Sequence, residues 1–245
     1  MTPRRADIQD RKERILGIVV NEYIRTINPV SSGYIVEKYK IDLSSATVRN
    51  ILGELESDGY LTHPHTSAGR IPTEDGYRYY VDHLMYEIAL LEEQKQRIKM
   101  ECERERQNLE RILEKTSRMI SDLTHCTSIV TIEGPEGKFF CTGTRYVVEF
   151  LECSDLQKIK EILALLEEKE KLLELINCNL RKKMEIFIGH EIEGCNIVDC
   201  SMAVSAYRLH NGQGGRIAIL GPKRMNYGKV VSALDYVCEL MHDLF

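Results

Sequence analysis

The hydrophobic period changes abruptly near residue 60, and that change limits what the first part of the chain can become. From Ile15, the residues Ile15, Leu16, Ile18, Val19, Tyr23 and Ile24 recur at three- and four-residue spacing, the signature of one buried helical face. Asn28-Pro29 ends that run. Ser31 is placed to cap a short second helix with Ile35, Val36 and Tyr39 inward. After the connector Lys40-Ile41-Asp42-Leu43, Ser44 is placed to cap a third helix, with Val48, Ile51, Leu52 and Leu55 as its stripe and Asp58-Gly59 as its stop. Tyr60-Leu61-Thr62 then reads as a short strand and Ile71-Pro72 as a return segment. Three helices and a hairpin, in that order, predict a winged helix-turn-helix.

Such a domain offers the start of its third helix to base edges in the major groove. Here those residues are Ser44, Ser45, Thr47, Arg49 and Asn50. Arginine pairs with guanine, asparagine with adenine, and the hydroxyls with phosphate or base. In the intervening loop, Gly69 permits close backbone approach and Arg70 reaches for the minor groove or phosphates, with His65, Thr66 and Ser67 as phosphate contacts. Residues 1–82 hold 11 Lys and Arg against 12 Asp and Glu, and the whole chain carries a net charge of −5. Strong non-specific attraction to a polyanion is therefore not expected; composition neither proves nor excludes DNA binding, and such contact requires a local cluster. A plain helical domain with a surface loop remains open on these residues alone.

From Leu84 to Leu123, stepping alternately by four and three gives twelve positions, nine of them apolar. The run includes Leu84, Ile88, Leu91, Ile98, Leu109 and Ile112, a heptad seam for a dimer coiled coil. An unbroken helix there would span about 60 Å. The alternative is a charged, solvated helix packed on its own domain. Beyond Cys126 the pattern is mixed: strands are predicted over 128–133, 146–151, 184–188, 202–209 and 216–220. Helix is predicted from Ser154, with a capping box to Gln157, to about Lys182, and again after Asn226.

No catalytic constellation emerges. The eight cysteines form no CxxC pair, and none precedes Cys102, so they read as buried or half-buried thiols rather than a disulfide framework. His190, Cys195, Cys200 and His210 lack the spacing of a zinc site. His125 and Cys126 are neighbours on a strand and point to opposite faces. The Asn211–Gly215 run lacks the Lys-Ser/Thr of a phosphate loop and reads as a hairpin turn. No metal and no cofactor is expected. The charged N-terminus lacks a signal-peptide core, and no apolar run approaches the roughly 20 residues of a membrane span. A cytoplasmic, nucleoid-associated bacterial protein is expected.

A resemblance adds to these readings. Leu43-Ser44-Ser45-Ala46-Thr47-Val48-Arg49-Asn50 with Leu55 to Leu61, and then His65-Thr66-Ser67-Ala68-Gly69-Arg70-Ile71-Pro72-Thr73 with Gly76-Tyr77-Arg78 and Tyr80-Val81-Asp82, resemble the heat-inducible transcription repressor (HrcA) family. Asp199-Cys200-Ser201, Gly221 to Tyr227 and the stretch from Ser154 to Lys169 are similar to its later part. The resemblance implies a dimeric repressor of chaperone genes that binds double-stranded inverted-repeat operator DNA, is released by heat, and is supported by a GroEL-type chaperonin. It also implies a GAF-like second domain carrying an inserted dimerisation domain. Only Thr131 to Cys153 stands where half that sheet and the insertion are expected, so the chain resembles a short form. The expected architecture is α+β: a winged-helix DNA-binding domain over 1–82, a linker helix over 83–123 and a reduced GAF-like regulatory domain over 124–245. A protein-interaction module and a small-molecule-responsive regulator are the alternatives; an enzyme is not expected.

Overall fold

The computed structural model describes residues 3–64, 69–104, 108–133, 138–150, 156–177, 180, 182–193 and 197–244. The chain divides into two compact units, Met1–Tyr86 and Glu87–Phe245.

In the first unit, α1 (Pro3–Thr26), α2 (Ser32–Tyr39) and α3 (Ser45–Ser57) are followed by β1 (Leu61–Thr62) and β2 (Ile71–Pro72). The two strands pair antiparallel, with Leu61 opposite Pro72. Ile15, Leu16 and Val19 of α1, Ile35 of α2 and Val48, Leu52 and Leu55 of α3 are buried together with Leu61, so the helical stripes meet as their spacing dictates. Helix α3 ends in a Schellman motif: Gly59, at φ 86°, donates to the Glu56 carbonyl, and the next amide, of Tyr60, donates to the Leu55 carbonyl. Thr73 caps α4 (Glu74–Tyr79), which runs into a π-helical turn over Tyr80–Leu84.

In the second unit, α5 (Glu92–Arg104) and α6 (Leu109–Thr124) precede a five-stranded sheet. Its strands are β3 (Thr127–Ile132), β4 (Phe139–Thr142), β5 (Met184–Ile188), β6 (Cys200–Arg208) and β7 (Gly214–Pro222), in the order β4-β3-β7-β6-β5 with every neighbour antiparallel. Between them lie α7 (Arg145–Phe150), α8 (Leu156–Glu167) and α9 (Lys169–Ile176), and α10 (Tyr227–Leu244) follows. Period two along the strands sorts side chains onto two faces. Ile129, Met202, Val204, Ala218 and Leu220 pack with Ile162, Leu165, Leu166, Leu172 and Ile176 of α8 and α9. On the other face Ser117 of α6 donates to the Ser128 carbonyl, and Ser201 bonds Tyr227 of α10. Tyr207 of β6 reaches across β7 to donate to the Thr131 carbonyl of β3 at 2.8 Å. Glycine is required beneath that ring, because a Cβ at Gly215 would lie 2.0 Å from the Thr131 oxygen.

Two expectations are corrected. The 84–123 segment is not one helix. It leaves helical geometry at Met85, re-enters at Glu92 and starts again at Leu109, where the Asn108 side chain accepts from the Arg111 amide. Ile98 and Cys102 of α5 and Ile112 and Thr116 of α6 are buried within this unit, and Cys102 Sγ lies 3.6 Å from Thr116 Oγ1. Leu84 and Leu109 are half-buried, whereas Ile88 and Leu91 are exposed, so the six seam residues do not share one continuous helical stripe. The helix breaks because packing α5 on α6 buries apolar surface that an extended helix would leave to a partner. The strand expected over 146–151 is instead α7: Tyr146 donates its amide to the Gly143 carbonyl and opens a helical turn. Ser154 and its capping box lie outside the described residues. Strand β4 was not predicted.

Gly76 sits where an added Cβ would fall 2.1 Å from the Tyr60 carbonyl oxygen. Gly76→Ala should therefore destabilise the first unit by about 1–3 kcal/mol, the usual cost of forced overpacking, measured as a lowered urea midpoint of the intact chain.

Candidate nucleic-acid interface

The start of α3 is held from two sides. Ser44 accepts from the Thr47 amide at 3.1 Å and shares a 2.9 Å contact with the Thr47 hydroxyl. Ser45 faces inward and meets the buried Ser32 of α2 at 3.1 Å. Of the five residues expected to read DNA, these two serines thus fix the helix and pack it on α2. Thr47, Arg49 and Asn50 are exposed, and Arg49 and Asn50 have no hydrogen-bond or ion-pair partner among the described residues. Val48, Ile51, Leu52 and Leu55 are buried on the opposite side, which turns those polar groups outward.

The hairpin foot is tied to the α1–α2 connection. Val30 and Arg70 exchange two backbone hydrogen bonds, 2.9 and 2.8 Å. A Cβ at Gly69 would lie 2.5 Å from the Val30 backbone, so glycine there is a condition of the contact. The Arg70 side chain does not extend outward. Its terminal nitrogen pairs at 2.7 Å with Glu56 of α3, and its Nε is buried without a partner. The other Glu56 oxygen accepts from His63 Nδ1. Partial burial would raise the Glu56 pKa, but the His63 hydrogen bond and the Arg70 charge outweigh it and hold the carboxyl below its ordinary value. His65, Thr66 and Ser67 lie outside the described residues.

Sequence reasoning passed over the group that supports α2. Glu22 is 3% exposed and accepts from Lys38 at 2.7 and 2.8 Å, Tyr34 at 2.6 Å, Arg25 at 2.7 Å and Tyr39 at 2.5 Å. Burial alone would raise its pKa; the four donors reverse that and hold it far below the ordinary glutamate value. The signal was present, since Glu22 falls seven residues after Ile15 and three after Val19, on the buried stripe of α1. An acid on such a stripe demands partners. Lys12, also on α1, pairs with Glu54 at 2.8 Å and Asp58 at 3.2 Å, joining α1 to the end of α3.

In the second unit, Cys102, Cys126, Cys200 and Cys238 are buried and Cys141 is half-buried, all as free thiols. Burial pushes the Cys126 thiol up to about 12 and those of Cys141 and Cys238 up to about 11, which suppresses the reactive thiolate. Among the described residues there is no cluster of three or more metal-ligating side chains, and no helix is long and apolar enough to cross a membrane.

Because the folded pKa of Glu22 is depressed, its contribution is present above the ordinary glutamate value near 4.3 and is lost as pH falls through the folded value. Urea denaturation should show Glu22→Gln lowering stability by about 3 kcal/mol at pH 7, as expected for one partner removed from a buried ionic cluster. The variant should also have a shallower loss of stability between pH 5 and 3, by at most about 2 kcal/mol, the linkage of one proton taken up below about pH 4.3. A variant as stable as the parent at pH 7 would overturn this assignment.

Residues 131–231 match the family model for the HrcA protein C terminal domain. The heat-inducible transcription repressor HrcA of Pelotomaculum thermopropionicum is 28% identical, with 95% of this chain and 95% of that protein covered. That of Symbiobacterium thermophilum is 26% identical over 97% of this chain and 98% of the relative. The first alignment runs over 331 positions against the 245 residues here, so at least 86 positions fall opposite gaps in this chain. A crystal structure of a hypothetical protein at 2.2 Å resolution shares the fold with a TM-score of 0.73 at 18% identity, covering 96% of this chain and 98% of that one. Residues 131–231 are thus similar to the HrcA C-terminal domain, and nearly the whole chain is similar to heat-inducible transcription repressors of that name.

Proposed function

We propose that the chain represses heat-shock genes by binding an inverted-repeat operator as a homodimer, with α3 in the major groove and the β1–β2 hairpin as the wing of a winged helix-turn-helix. The observation that carries this reading is the exposed, unpartnered pair Arg49 and Asn50 on a helix whose first turn is fixed by Ser44 and by the Ser32–Ser45 contact. Thr47 stands beside them as a hydroxyl donor to phosphate. The relatives are repressors, and nothing assembled in the described residues resembles a catalytic centre.

The five-stranded antiparallel sheet with helices on both faces supports a GAF-like regulatory domain of reduced size, with the shortening between Thr131 and Cys153. A dimer would match the two-fold operator. Ile88 and Leu91 are the part of the expected seam still exposed for a second copy. Release on warming, help from a GroEL-type chaperonin and a cytoplasmic, nucleoid-associated setting belong to the same proposal.

A gel-shift titration at fixed physiological salt, with an inverted-repeat operator and a scrambled duplex, tests the reading. The expected preference is about a thousand-fold, reduced on warming. Arg49→Ala or Asn50→Ala should each weaken operator binding by about 5- to 150-fold, the equivalent of about 1–3 kcal/mol. Equal affinity for both duplexes would overturn it and favour the protein-interaction module, which the near-neutral charge of residues 1–82 also suits.

A further inference from the structure

Arg70, at the foot of the hairpin, is held against α3, and the structure gives its charge to Glu56. On α3, Glu56 lies seven residues after Arg49, two helical turns along the same flank. One carboxylate oxygen takes the Arg70 guanidinium at 2.7 Å and the other takes His63. The Arg70 backbone is fixed to Val30 by two hydrogen bonds, and Gly69 is pressed against the same residue. The foot of the hairpin therefore cannot slide to carry the guanidinium elsewhere; only rotation of the side chain away from Glu56 can free it. With 24% of its side chain exposed, Arg70 stands at the surface but is electrically spoken for.

We propose that Glu56 is a positioning residue that sets DNA specificity: it clamps Arg70 inward, so that Arg70 adds nothing to sequence-independent phosphate binding. The proposal rests on the DNA-binding reading above. A free guanidinium at the wing would contact any duplex, since phosphates carry no sequence information. Each added phosphate contact raises affinity for all sequences alike and steepens the salt dependence by about 0.9 in log K against log salt. Clamped, the arginine leaves discrimination to Arg49 and Asn50. Glu56 and a DNA phosphate compete for the one guanidinium, and the 2.7 Å pair keeps it with Glu56.

The test is a double-mutant cycle on the full chain, titrated against a scrambled duplex and against an operator between 0.05 and 0.2 M salt, conditions chosen for the slope. Glu56→Gln should bind the scrambled duplex roughly 5- to 10-fold more tightly near 0.1 M salt, with a slope steeper by about 0.9. Arg70→Ala alone should leave scrambled-duplex binding within about two-fold of the parent. Arg70→Ala added to Glu56→Gln should return both affinity and slope to the parent values. If the gain survives in the double variant, it comes from the lost negative charge alone and the clamp is overturned. If Arg70→Ala alone weakens scrambled binding, Arg70 is already free and the clamp is again overturned. Should Glu56→Gln lose native circular dichroism, Glu56→Asp, which withdraws the carboxylate by one methylene, gives the same readings. Failure of the repressor reading looks different: the parent chain then shows no operator preference, whatever the cycle gives.

Discussion

The first unit depends on the two backbone hydrogen bonds between Val30 and Arg70. They join the connection between α1 and α2 to the returning strand of a hairpin with only two paired residues on each side. An isolated hairpin of that length is not stable in water. Val30 supplies the missing edge, Gly69 lets the two backbones meet, and Thr73 fastens the far side by donating to the Gly59 carbonyl. The hairpin strands are thereby held at the end of α3, and the spatial relation between the helix face and β2 is fixed by backbone rather than by exposed side chains.

Charge is distributed on the same economical plan. Arg25 and Lys38 are committed to Glu22, Lys12 to Glu54 and Asp58, and Arg70 to Glu56. A unit with almost no net charge thus holds these four cations in internal pairs, while Arg49 points outward. Surface pairs of this kind contribute little to stability individually; their effect here is on where positive potential is available. Glu22 is the exception, because it is buried and receives four donors.

What was legible in the sequence was local. The stripes of α1, α2 and α3 follow from three- and four-residue spacing, and Ser31, Ser44 and Asn226 cap as their side chains predispose them to. Strands β3, β5, β6 and β7 were readable from β-branched and alternating runs. The failures were tertiary. Nothing between Leu84 and Leu123 is Gly or Pro, so no residue announces the break at Met85; only the Asn108 cap hints at a second start. Tyr146-Val147-Val148 carries strand propensity, yet the turn at Gly143, with φ 80°, sends it into a helix. Arg49 and Asn50 were legible as outward residues because helix period decides that. The direction of Arg70 was not, because it depends on a carboxylate fourteen residues earlier in the chain.

The buried thiols of the second unit have a practical corollary. Cys102, Cys126, Cys200 and Cys238 are distributed over α5, the approach to β3, β6 and α10, and each must leave the interior before it can ionise and react. At these four positions an alkylating reagent therefore samples excursions of the fold rather than its surface. Each cysteine becomes a clock for the opening of its own element. In a protein whose relatives respond to heat, the order in which those four clocks start as temperature rises would map where the second unit first gives way.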